Sequence, residues 1–273
     1  MKTLSVTILL GSIFILLSCQ KNMTKQIGED GDLISTHNSL ALTQMLLSLD
    51  TMVQKNTNYA YWQEIKLDKT QGKNSDSAIR VAKSQGKKIN IFLGNSLLNQ
   101  WTSIQDSFPG KAVFNRAFGG AFAEHFQYYY EDLGIRYADN LLIYVGENEH
   151  LTNWRVTQVP DRLKNAINYW KSVNPTLKVV YIKMQVCPSL WITAQGGNWN
   201  IDWQNTTMVA FGSGKTWYSV CEMNVPMRNW NPRSPKTDCF KQETKPDGTL
   251  QWVHMNAKGY GIWKTVLGPY VIQ

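Results

Sequence analysis

The chain has 273 residues, 43% hydrophobic and 12% aromatic, with 28 basic against 20 acidic side chains and a net charge of +8. That is enough apolar material for one full core, and it argues against a disordered or fibrous chain. The basic residues are dispersed among acids and aromatics, with no block of the kind that forms a nucleic-acid arm, so no nucleic-acid partner is expected.

Lys2 precedes an apolar run from Leu4 to Leu17, too short to span a bilayer comfortably but suited to a signal-peptide core. The run ends in Leu16-Leu17-Ser18-Cys19, which resembles a bacterial lipobox. Residues 1–19 are therefore read as a lipoprotein signal peptide with lipidation at Cys19. The expectation is an exported chain, lipid-anchored on the periplasmic or cell-surface side of a bacterial membrane. Residues 20–88 read as a tether and an N-terminal helical region, with Leu40, Leu42, Met45, Leu46, Leu49 and Val53 near one helical face. A polar stretch from Lys66 to Lys88 then leads into the main domain, residues 89–273.

Within that domain, Ile89 to Leu93 reads as a buried strand, followed by strands at Ala112 to Phe114, Asn140 to Val145 and Lys178 to Met184. Leu163, Ala166, Ile167, Trp170 and Val173 recur at helical spacing between the last two. Alternating strands and helices predict an α/β fold with a central parallel sheet covered on both faces. A segment at about 189–245 is rich in Trp (Trp191, Trp199, Trp203, Trp217, Trp230) and reads as loops beside a pocket mouth. Flat indole faces suit sugar rings, and they also fill cores. After Cys19 three cysteines remain; Cys221 with Cys239 is the preferred disulfide, against three reduced and buried thiols. No CxxC spacing or His–Cys clustering suggests a zinc site, and no cofactor is expected.

Four short segments carry chemistry: Gly94-Asn95-Ser96, Asn115-Arg116-Ala117-Phe118-Gly119-Gly120, Gly146-Glu147-Asn148, and His254 in Val253-His254-Met255-Asn256. The first three each follow a strand, at the carboxyl edge where ligands collect in open α/β sheets. Ser96 offers a nucleophilic hydroxyl and its own N–H. Gly120 lets an oxygen approach its backbone N–H, Asn148 offers a side-chain donor, and His254 a base of near-neutral pKa. His125 and His150 are rival bases, with His150 at the pocket rim. Glu147 and Glu149 would suggest paired-carboxylate chemistry, but they lie so close in sequence that a surface loop is the better reading. Gly212-Ser213-Gly214-Lys215-Thr216 imitates the end of a P-loop but has Val209 where the first Gly is required.

With Trp101, and with Asn256-Ala257-Lys258-Gly259-Tyr260 after the histidine, these segments resemble the SGNH/GDSL hydrolase superfamily from about Ile89 to the C-terminus. The resemblance implies a flavodoxin-like three-layer α/β/α sandwich and a serine esterase with Ser96 as nucleophile and His254 as base. It also implies an oxyanion hole of Gly120, Asn148 and the Ser96 amide. Two positions depart from the family's pattern. Asn95 stands where Asp is frequent, and Gln251 stands three residues before His254, where an acid is usual. Asp247 could swing in across Gly248-Thr249, or Gln251 or a backbone carbonyl could hold the ring of a Ser–His dyad. The expected substrate is a small O-acyl ester, with acetyl on a glycan as one form. A non-catalytic glycan- or partner-binding lipoprotein and an O-acyltransferase are the alternatives on the same fold.

Overall fold

The structure, a computed structural model, describes residues 72–128, 133–153, 155–193, 199–230 and 234–273. The segments read as signal peptide and tether, Cys19, and the helix expected over 39–53 lie outside these. Five parallel strands form the central sheet: β1 (Ile89–Gly94), β2 (Ala112–Asn115), β3 (Asn140–Tyr144), β4 (Lys178–Ile182) and β5 (Tyr218–Cys221), in the order β2-β1-β3-β4-β5. The order reverses direction between β1 and β3, so the loops leaving these strands diverge and open a crevice at the carboxyl edge.

Alternation along each strand supplies both faces. Ile91 and Leu93 of β1, with Leu141 and Ile143 of β3, enter one core cluster, while Phe92, Leu142 and Tyr144 enter the other. The first face is covered by α1 (Asp76–Ser84) and α6 (Val159–Val173). Leu163, Ile167 and Trp170 of α6 are fully buried there, as their spacing predicted. Between β2 and α6 lie α4 (Ala123–Tyr128) and α5 (Glu147–Thr152). The opposite face carries α2 (Ser96–Asn99), α3 (Ile104–Ser107), α7 (Pro188–Thr193) and α9 (Ala257–Leu267), with Trp263 fully buried. The sheet lies between two helical layers, giving the expected three-layer α/β/α sandwich.

Two segments differ from the sequence reading. Within the polar stretch before Ile89, α1 presents Ile79 to the core, and Asp76 accepts a hydrogen bond from buried Arg116 at 2.7 Å. The folded unit therefore begins before Ile89. The Trp-rich segment is not only loops: it contains α8 (Trp199–Phe211) and the edge strand β5. Polar residues of α8 made it look like a loop, yet they point inward. Gln204 Nε2 donates to the Val145 carbonyl at 2.9 Å, and Asn205 Oδ1 accepts from Tyr181 Oη and Met184 N at 2.9 and 2.8 Å. Each pairs a backbone or hydroxyl group that burial would otherwise leave unsatisfied. Cys187, Cys221 and Cys239 are free, buried thiols, so the preferred Cys221–Cys239 disulfide is not formed.

Candidate active site

β1 ends at Gly94, where a Cβ would stand 2.6 Å from the Tyr144 carbonyl oxygen and 2.7 Å from Leu98 Cδ1; only glycine lets β1, β3 and α2 close up there. Asn95 caps α2, its Oδ1 accepting from Leu97 N at 3.1 Å. This cap turns the chain sharply from strand to helix and sets Ser96 at the first helical position.

His254 Nε2 lies 2.9 Å from Ser96 Oγ, and His254 Nδ1 lies 2.5 Å from Glu243 Oε2. Serine, imidazole and carboxylate thus form one continuous hydrogen-bonded chain. The polar partners of the ring are Ser96 and Glu243, not Asp247 or Gln251. The local fold explains why. β6 (Glu243–Thr244) and β7 (Leu250–Gln251) form an antiparallel hairpin in which Glu243 pairs with Gln251. The acid expected three residues before His254 therefore sits directly across the ladder from that position. Asp247 is spent on the hairpin turn, its Oδ1 accepting from Thr249 N and Oγ1 at 2.9 and 2.6 Å, with Gly248 at φ +81°. Below the hairpin, Lys241 N donates to the His254 carbonyl at 2.7 Å and Phe240 bridges Met255, fixing the histidine's backbone. The His254 side chain is 15% exposed and that of Glu243 29%, so the pair is reachable but shielded. A sequence signal for Glu243 existed: Pro246-Asp247-Gly248 is a turn signature.

The loops after β2 and β3 are tied to this framework. Phe118 N donates to the Gly94 carbonyl at 3.1 Å. Gly120 stands at φ +67°, a left-handed turn conformation suited to glycine. Asn148, in the first turn of α5, donates through Nδ2 to the Ala121 carbonyl at 2.9 Å, and Ala123 N donates to Glu149 Oε1 at 2.6 Å. Two successive residues of α5 therefore clamp the segment that follows Gly120. An amide nitrogen carries two hydrogens, so Asn148 retains one beyond that bond.

The two carboxyls flanking Asn148 are buried, not on a surface loop. Burial pushes Glu147 up to about 8, against hydrogen bonds from Cys187 and Asn95 that favour its charge. Burial likewise pushes Glu149 up to about 7, opposed by the Ala123 amide. The rival histidines are neutral: burial lowers His125 and His150 to about 4, and His150 Nε2 lies 3.2 Å from Gln204 Oε1. The imidazole bonded to Ser96 Oγ is that of His254. Of the tryptophans, Trp191 and Trp217 are partly buried against the two cores, Trp203 is 40% exposed and Trp230 is 94% exposed. Trp101 is buried among Phe92, Phe108, Tyr260 and Trp263. Among the described residues, no three His, Cys, Asp or Glu side chains gather so as to hold a metal ion, and no helix is long and apolar enough to cross a membrane.

Comparison with known proteins places this architecture. No protein-family profile matches the chain, and no curated protein sequence does. Solved structures do. A Streptococcus pneumoniae protein assigned as a platelet activating factor superposes with a TM-score of 0.58 at 13% identity, covering 84% of this chain and 99% of its own. A GDSL-like lipase from Bacteroides thetaiotaomicron gives 0.57 at 15% identity over 71% of this chain and 96% of its own. A Bacteroides fragilis protein assigned as an acylhydrolase gives 0.55 at 15% identity, over 70% and 94%. The chain has the SGNH/GDSL hydrolase fold.

Proposed function

We propose that this protein is a serine esterase that hydrolyses small O-acyl esters through Ser96, His254 and Glu243. The observation that carries the reading is the unbroken hydrogen-bonded chain from Ser96 Oγ through both imidazole nitrogens to Glu243. A lone serine or histidine has structural explanations; an imidazole bridging a serine hydroxyl and a carboxylate, at the carboxyl edge of a parallel sheet, is an arrangement for nucleophilic catalysis. Its occurrence on a fold shared with a GDSL-like lipase adds support.

In this mechanism Ser96 Oγ attacks the ester carbonyl while His254 Nε2 accepts its proton. Glu243 holds the ring with Nδ1 protonated and stabilises the imidazolium. The tetrahedral oxyanion takes hydrogen bonds from the Ser96 and Gly120 amides and from the remaining N–H of Asn148. Collapse expels the alcohol, which receives the proton from His254 Nε2, and leaves an acyl group on Ser96. Water, deprotonated by His254, then attacks the acyl-enzyme and releases the carboxylic acid.

The alcohol is a sugar hydroxyl and the acyl group acetyl, a reading supported by the exposed indole of Trp230. The lipobox-like segment ending at Cys19 supports an exported, lipid-anchored enzyme. Transfer of the acyl group to a sugar hydroxyl shares the first half-reaction. The non-catalytic reading rested on the missing acid at Gln251, and Glu243 supplies that acid from the opposite strand. Ser96→Ala should abolish hydrolysis of p-nitrophenyl acetate while leaving the circular dichroism spectrum unchanged; retained hydrolysis would remove Ser96 from the mechanism.

A further inference from the structure

One cavity of about 400 Å³ lies outside the Ser96–His254–Glu243 chain, between the C-terminal end of α2 and the first turns of α9. Its size falls within the range of small-molecule sites. Lys241 and Lys264 line it, together with Gln100, Ser103 and the stacked pair Trp101 and Tyr260, whose ring centroids are 5.2 Å apart. No carboxylate is among the lining residues. Some lysines of the described surface are matched with acids, as in Lys88–Asp139, Lys164–Asp161, Lys183–Glu222 and Lys258–Asp238, while others stand without an ion pair. Neither Lys241 nor Lys264 has an ion-pair partner among the described residues.

The cavity's walls are bonded to the catalytic elements. Lys241 N donates to the His254 carbonyl, Gln100 N to the Ser96 carbonyl at 2.8 Å, and Tyr260 Oη to the Leu97 carbonyl at 2.8 Å. Two lysines lining one hollow, with hydroxyl and amide donors beside them, offer positive charge and hydrogen bonds to an anion seated there. Tyr260, backed on one face by buried Trp101, is the part-exposed aromatic ring of the lining.

We propose that this cavity is a binding subsite for an anionic sugar, in which Lys241 and Lys264 hold the carboxylate or phosphate. Under the esterase reading it selects acylated polymers that carry negative charge, with the anionic unit seated beside the unit whose ester is cleaved. Binding itself does not require hydrolysis. The lysines are solvent-exposed, so the affinity weakens as salt rises.

Titration calorimetry on the full chain carrying Ser96→Ala tests the subsite apart from catalysis, because that variant lacks the nucleophile but keeps the cavity. Galacturonic acid probes the carboxylate, glucose 6-phosphate the phosphate, and galactose the neutral ring. The expected result is that at least one acidic sugar binds at least tenfold more tightly than galactose; which one binds identifies the anion. Lys241→Gln with Lys264→Gln should weaken that binding at least tenfold. A charge-matched control, Lys87→Gln with Lys178→Gln, lies at the opposite edge of the sheet, before β1 and at the start of β4, and should leave it intact. Equal binding of galactose, no binding of either acidic sugar, or equal loss in the control would overturn the proposal.

Discussion

Glu147 gives a prediction whose size follows from burial. Its carboxyl is fully buried against Tyr144, Cys187 and Asn95, and its pKa rises from 4.5 to about 8. Between those values the native chain holds a proton on Glu147 that the unfolded chain has released, so stability falls as pH rises through this window. At about 1.4 kcal/mol for each tenfold change in proton affinity, full ionisation costs up to roughly 5 kcal/mol. Water penetration into the site reduces the observed loss to about 2–4 kcal/mol. Glu147→Gln keeps the shape and cannot ionise. Urea unfolding of both proteins at pH 5 and pH 8.5 should show the wild type losing about 2–4 kcal/mol more than the variant. Glu149, raised to about 7, acts in the same direction and remains in both proteins, so the variant keeps a shallower slope. Parallel pH dependences would refute the reasoning, because the Glu147 carboxyl would then be as hydrated in the native state as in the unfolded one.

Three other outcomes follow from the geometry. Glu243→Gln should lower kcat for p-nitrophenyl acetate by about 10²–10⁴, as expected when the acid that orients a catalytic histidine is neutralised. Asp247→Asn and Gln251→Ala should each stay within about threefold, and the reverse ranking would return the acid's role to one of them. Asn148→Ala should cost about a hundredfold or more in kcat if its amide serves the oxyanion; a loss under about threefold would remove it. Mass spectra of non-reduced peptides should show Cys221 and Cys239 on separate fragments, and a cross-linked fragment would contradict their placement as free thiols.

The sheet was legible where sequence periodicity and burial coincide. The strands Ile89–Gly94 and Asn140–Tyr144 are buried along their whole length, so they read as mainly apolar runs, with Asn90 and Asn140 buried against each other. β5 was missed because Tyr218–Cys221 is a short edge strand with Ser219 exposed. α8 was missed because Gln204 and Asn205 are buried for their hydrogen bonds, a use that composition alone does not reveal. At the site, Ser96 and His254 could be named because each sits in a distinctive local setting. Glu243 could not be found by spacing along the chain, since what brings it to the histidine is pairing across a hairpin. Reading the Pro246-Asp247-Gly248 turn first would have placed Glu243 opposite Gln251, at the position where the acid was sought.

The central claim is that Ser96 is a nucleophile activated by His254. Incubation with a fluorophosphonate, followed by peptide mass spectrometry, tests this most directly, because the reagent forms a stable bond only to an activated hydroxyl. The account predicts a single adduct on Ser96, absent in Ser96→Ala and formed at least a hundredfold more slowly in His254→Ala. No adduct on Ser96, or an unchanged labelling rate without the histidine, would contradict it.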